Sequence, residues 1–125
     1  MTRIDWRQWA DESVVQVDQE TKSAQERAAD VTRFRSDLEQ VRGRATSRYL
    51  DVTAVADVNG RLVDLQLAAD AVRRDPRDLA RIILDTADDA RRNAADQALA
   101  MARETFGADS GLVARLATDL QPDAR

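Results

Sequence analysis

Between Asp5 and Gln40 the chain holds no proline and no glycine, and small or apolar residues recur at alternating spacings of four and three: Ala10, Val14, Val17, Thr21, Ala24, Ala28 and Val31. A period near 3.5 describes one long helix with a narrow, coiled-coil-like seam. At about 1.5 Å per residue that helix would be roughly 54 Å long. A compact chain of 125 residues has a radius of gyration of only about 14 Å. The seam therefore calls for a second copy of the chain or another protein. Toward the end of the segment Val31, Phe34, Leu38 and Val41 keep the stripe, while Arg35 falls where the earlier register wants an apolar side chain. The seam changes partner there.

The middle of the chain follows a period of two. Ala45-Thr46-Ser47 reads as a short strand and Leu50 to Asp57 as a longer one, with β-branched residues at Val52, Thr53 and Val55. Asn59-Gly60 is the pair best able to take both positive φ angles of a type I′ turn, and Leu62 to Leu67 follows as the returning strand. In that strand Val63, Leu65 and Leu67 share one face, and Leu62, Asp64 and Gln66 the other. So small a sheet needs a helix over its apolar face. Asp75-Pro76-Arg77-Asp78 opens one, with Asp75 as N-cap, Pro76 in the first helical position and Asp78 placed for a capping box. From Leu79 to Phe106 apolar residues recur at helical spacing, bulky at first and alanine-rich later, until Gly107 stops the helix. The bulky half is expected on the sheet and the alanine half against another helix. Leu112 to Ala117 is a short amphipathic segment, read as a cap rather than a frayed tail.

The expected fold is thus α+β, in one domain: an extended helix over 1–44, a three-stranded antiparallel sheet over 45–68, a long helix over 75–107 and a tail over 108–125. Cysteine and histidine are both absent, so disulfides, thiolate nucleophiles, imidazole bases and the usual zinc ligands are excluded together. Asp88 and Asp89 are adjacent, and neighbours on a helix point about 100° apart, so they do not converge on a metal. No catalytic residue, cofactor or metal site is expected, and no enzyme. No apolar run reaches the roughly 20 residues of a membrane span, and the N-terminus does not read as a signal peptide. A cytoplasmic location is expected.

The run Ala45-Thr46-Ser47, Val52-Thr53-Ala54-Val55, Asn59-Gly60-Arg61-Leu62-Val63-Asp64-Leu65-Gln66-Leu67 and Val72-Arg73-Arg74 leading into Asp75-Pro76 resembles the YbaB/EbfC family of small bacterial nucleoid-associated proteins. The chain looks like an actinobacterial version, in keeping with 18 arginines to one lysine and 18 aspartates to five glutamates. The resemblance implies an α-β-β-β-α protomer, pairing into a homodimer and binding duplex DNA in the nucleoid.

Phosphate neutralisation drives binding to a duplex, so the placement of arginine matters more than the net charge of −4. Residues 31–48 hold Arg33, Arg35, Arg42, Arg44 and Arg48 against Asp37 and Glu39, a surplus of three. Arg42 and Arg44 flank Gly43, whose bare backbone would permit close approach of a phosphate. Arg73, Arg74, Arg77 and Arg81 form a second candidate group, with Asp78 and Asp85 at helical pairing distance from Arg74 and Arg81. Arg91 and Arg92 read as local partners of Asp88 and Asp89. Trp6 and Trp9 lie three apart on one helical face with Val14, Val17, Ala24, Ala28 and Val31 along the seam. Those seven residues form the dimer or partner interface, the tryptophans either stapling the dimer ends or anchoring a partner.

Two functional readings follow. The first is largely sequence-tolerant binding of duplex DNA by a homodimer through the arginine groups. The second is a dimeric adaptor without DNA, possessing a protein partner on the long first helix. The acidic balance of residues 1–30 and the two tryptophans favour the adaptor. Some actinobacterial proteins similar to this family are linked to specialised secretion systems, which fits an adaptor as well.

Overall fold

The computed structural model describes residues 24–120, and the expected contacts of Trp6, Trp9, Val14 and Val17 lie outside them. Helix α1 spans Ala24–Gln40, strands β1, β2 and β3 span Gly43–Thr46, Val52–Ala56 and Leu62–Leu67, and a single 3₁₀ turn spans Ala71–Arg73. Helix α2 runs from Pro76 to Phe106 and α3 from Gly111 to Leu120. The order agrees with the sequence reading. Residues 41–96 form one compact unit, and the described residues up to Gln40 and from Gln97 form the other.

In the helical unit the stripe that closes the α1 pattern is buried: Val31, Phe34 and Leu38. Phe34 meets Phe106 edge to face, with ring centroids 5.1 Å apart and planes at 75°, a favoured aromatic geometry. Ala98, Leu99 and Ala102 of α2 and Val113 and Leu116 of α3 are also buried. The tail segment is therefore a packed cap. Of the proposed seam residues, Ala24 and Ala28 are exposed, whereas Val31 is spent within the protomer's own core.

In the sheet unit β2 lies between β1 and β3, antiparallel to both. Val52, Ala54 and Ala56 alternate as the buried face of β2, with Thr53 and Val55 half-exposed on the other side. Ala90 of α2 packs on Ala54 and Ala56, with Ala45 at the margin. The expected division of labour along α2 thus differs at its sheet end and holds at the other. Ala90 meets the sheet in place of the bulky residues, Ile82 and Ile83 being only half-buried and Leu84 exposed, while the later Ala98 and Ala102 are buried in the helical unit. Small side chains let helix and strand backbones approach closely, and Gly43 carries that approach furthest. A Cβ on Gly43 would collide with the Ala90 carbonyl oxygen and the Ala94 amide nitrogen, and would stand 2.8 Å from the Ala94 Cα. The bare backbone at Gly43 admits α2, so this glycine is buried and does not receive a phosphate. It also belongs to β1, which begins two residues earlier than expected, just after α1 ends at Gln40.

The β2–β3 turn departs from type I′. Gly60 has φ +83° and is the only positive-φ residue in it, so Asn59 keeps ordinary backbone. Asp57 organises the loop: its carboxylate accepts from the amides of Asn59 (3.0 Å) and Arg61 (2.9 Å), and its carbonyl accepts from Gly60 (3.1 Å). A first turn closed by a left-handed glycine is the longer hairpin solution. It introduces a register slip: Val55 pairs with Asp64, Ala56 with Leu62, and Val63 is the extra residue. The slip places Leu62, expected on the wet face, opposite the buried Ala56.

Helix α2 starts and stops as the sequence directs. The Asp75 carboxylate accepts from the Arg77 amide at 3.2 Å, the N-cap bond. At the far end Gly107, at φ +89°, donates to the Arg103 carbonyl at 2.8 Å.

Candidate nucleic-acid interface

Arginine geometry decides which cations are available to a phosphate. In the helical unit Arg33 is exposed and stands 3.9 Å from Asp30, while Arg35 is half-buried. In the sheet unit Arg42, Arg44, Arg48, Arg73, Arg77 and Arg81 are all exposed. Arg42 turns back to donate to the Val41 carbonyl at 2.8 Å. Arg44 lies on the outward face of β1, opposite Val55, and its amide donates to Asn93 Oδ1 of α2 at 3.3 Å. Arg73 stands 3.6 Å from Asp70, both side chains largely in solvent. A pair so exposed contributes little and exchanges readily for a phosphate. Arg77 and Arg81 lie in the first two turns of α2, and no ion pair joins Arg81 to Asp85.

Arg74 behaves differently from the rest of the group. Its Nε donates to Asp51 Oδ2 across 23 residues of sequence, and the pairing with Asp78 that the spacing suggested does not form. Asp51 is buried, and its second oxygen accepts from the Ser47 hydroxyl at 2.6 Å. The Ser47 bond, then the Arg74 guanidinium, hold the Asp51 carboxyl below the ordinary aspartate range. Arg74 therefore serves the architecture of the β1–β2 turn, which leaves Arg73 as the exposed cation of that dipeptide. Arg91 and Arg92 form the local pairs expected of them, with Asp88 at 2.9 Å and Asp89 at 3.1 Å. Arg91 also donates to the Gly60 carbonyl at 2.8 Å, fastening the β2–β3 turn to α2.

The β1–β2 turn holds what the sequence reading missed. Leu50, read as the first residue of a strand, sits in the turn at φ +62°. Left-handed backbone costs a non-glycine residue roughly 1–2 kcal/mol. Leu50 is also 77% exposed, and Tyr49 beside it 66%. The guanidiniums of Arg74 and Arg48 lie 5.2 and 5.7 Å from the centre of the Tyr49 ring, within cation–π range. The signal available in the sequence was the string Arg48-Tyr49-Leu50 between two polar neighbours, Ser47 and Asp51.

An outward-facing set of arginines on a small α+β scaffold calls for a polyanion, and the sequence profile of the YbaB/EbfC DNA-binding family matches residues 14–108. The chain belongs to that family. The resemblance seen in the strands and the Asp75-Pro76 start thus extends over most of the chain, and DNA is the ligand class of this nucleoid-associated family. The match takes in the whole sheet and α2 and ends before α3, so the C-terminal cap lies beyond the YbaB/EbfC region. No curated protein matches the chain. Among the described residues no acidic cluster is arranged to hold a metal ion, and no helix is long and apolar enough to cross a membrane.

Proposed function

We propose that this YbaB/EbfC chain is a non-catalytic protein that binds duplex DNA as a homodimer in the nucleoid, through phosphate contacts and with little sequence preference. The observation that carries the reading is the set Arg44, Arg48, Arg77 and Arg81: all are exposed, all lie in the unit of residues 41–96, and among the described residues none is paired with a carboxylate. Guanidiniums without a carboxylate partner fork onto phosphate oxygens without first surrendering an ion pair. Such contacts fix position on the duplex and carry no sequence information. Arg42 and Arg73 add exposed charge in the same unit, and Arg33 is an exposed cation of the helical unit.

Strand β3 supports the homodimer. It is an edge strand, exposed over all six residues, and Leu65 and Leu67 remain 37% and 40% exposed although their cross-strand neighbours Ala54 and Val52 are fully buried. Helix α2 covers one half of the apolar face and leaves the other half open. An uncovered edge strand with leucines is a ready surface for a second copy, and a two-fold axis joins like to like.

The test is fluorescence anisotropy of a labelled random-sequence duplex, titrated with the protein at roughly 50 and 200 mM salt, a range over which phosphate-driven binding weakens by orders of magnitude. Salt-sensitive binding that fades when Arg44, Arg48, Arg77 and Arg81 are replaced together by alanine is expected. Absence of binding at the lower salt would sink the reading and return attention to the adaptor, whose Trp6 and Trp9 lie outside the described residues.

A further inference from the structure

The exposed apolar residues of the β1–β2 turn are held out by a dedicated frame. Ser47 Oγ accepts from the amides of Val52 (2.9 Å) and Asp51 (3.2 Å) and donates to the Asp51 carboxylate. The Ser47 carbonyl accepts from the Leu50 amide at 2.9 Å, and the Ser47 amide donates to the Val52 carbonyl at 2.8 Å. Beneath them Arg74 anchors the Asp51 carboxylate, and the Asp51 carbonyl accepts from the Ala68 amide at 2.8 Å. The polar groups of this frame are engaged with one another, and Arg48, Tyr49 and Leu50 are the residues the turn exposes. Strained backbone persists where surrounding contacts over-determine it, and it gathers at functional positions.

We infer that the β1–β2 turn is a wedge for duplex DNA, in which Leu50, backed by Tyr49, inserts between base pairs from the minor groove while Arg48 and Arg73 take the flanking phosphates. This rests on the DNA-binding reading above. The shape of the feature selects this occupant. Stable protein interfaces bury about 800 Å² per partner, which two side chains on a convex tip do not supply. An apolar wedge in DNA consists of one or two side chains, and the minor groove, about 6 Å wide, excludes the strands while admitting their tip. Charge selects it as well. From Gln40 to Leu50 the chain carries Arg42, Arg44 and Arg48 and no acid, and the carboxylate that follows, Asp51, is buried and paired. A turn backbone already held in its presenting conformation loses little freedom on insertion.

The experiment uses the full chain with a short duplex carrying a donor and an acceptor at its two ends, read by anisotropy for affinity and by energy transfer for bending. Wild type is expected to bind and to shorten the end-to-end distance. Leu50→Gly removes the wedge while giving the left-handed position its preferred residue. It should abolish bending and weaken binding about tenfold, the order of one lost base-step contact, with an unchanged salt slope and a thermal midpoint no lower than wild type. Leu50→Met, which restores an apolar side chain, should restore bending. Bending by Leu50→Gly equal to wild type, or wild-type binding without any bending, would overturn the wedge and leave the phosphate-binding reading standing. A change in oligomeric state caused by Leu50→Gly would also overturn it, making the turn a contact between copies. Failure of wild type to bind any duplex overturns both readings.

Discussion

The two hairpins share β2 and are built on one plan, each turn organised by a side-chain oxygen that accepts two backbone amides, Ser47 Oγ in the first and the Asp57 carboxylate in the second, and each holding one residue in left-handed backbone. They differ in where they put their apolar surface. The β1–β2 hairpin hides its strands beneath the alanines of α2 and exposes Tyr49 and Leu50 at its tip. The β2–β3 hairpin exposes the leucines of β3, while its tip is Asn59-Gly60, fastened to α2 by Arg91. The same turn chemistry thus serves two surfaces: an apolar tip shaped to enter something narrow, and an apolar strand suited to something broad.

Closing the first hairpin against α2 depends on one missing methyl group, so Gly43→Ala should produce the largest effect. Backbone atoms of Ala90 and Ala94 occupy the site of the new Cβ and cannot swing aside as a side chain would. A loss of more than about 4 kcal/mol, in the range reserved for severe overpacking and strain, is expected in urea denaturation. A cost below about 1 kcal/mol would show that β1 and α2 separate easily.

The open strand of the second hairpin is probed by Leu65→Asp. In the proposed homodimer, burying an unpaired carboxylate at a β3 contact costs several kcal/mol, so dimer affinity should fall at least about a hundredfold. Analytical ultracentrifugation should show monomers with unchanged circular dichroism, because Leu65 is already over a third exposed in the protomer. Retention of the dimer would move the interface away from β3.

The turns themselves supply smaller effects. At φ +83° Gly60→Ala should cost about 1 kcal/mol, visible as a lowered thermal midpoint, and no side chain stands closer than Arg91 Cδ at 3.9 Å to obstruct the new methyl. Asp51 gives an effect that is full near neutrality and fades in acid. Its folded carboxyl titrates below the ordinary value of about 3.9, so its contribution is present above that value and is lost as pH falls through the lower folded one. Asp51→Asn should flatten the acid limb of stability below about pH 4.

Much of the architecture was legible in the chain because it rests on local rules. The Asp75-Pro76 cap, the Gly107 stop, the Asp88–Arg91 and Asp89–Arg92 pairs and the strand periodicity all act within a few residues of sequence. The candidate site was only half legible. That Arg44, Arg48, Arg77 and Arg81 face solvent follows from their charge, but the diversion of Arg74 to Asp51 depends on a contact between residues far apart in the chain. Leu50 was misread for the same reason: β-propensity favours a strand, and the network of Ser47, Asp51 and Arg74 overrides it.

By itself the sequence determined the order of elements, where α2 begins and ends, the family, and the supply of arginine for a polyanion. Tertiary structure decided what Gly43 is for, which arginines are already engaged, and which apolar residues remain in water. Caps, turns and periodicity draw on neighbouring residues, whereas burial and pairing depend on which distant backbone arrives, and spacing along the chain does not encode that arrival.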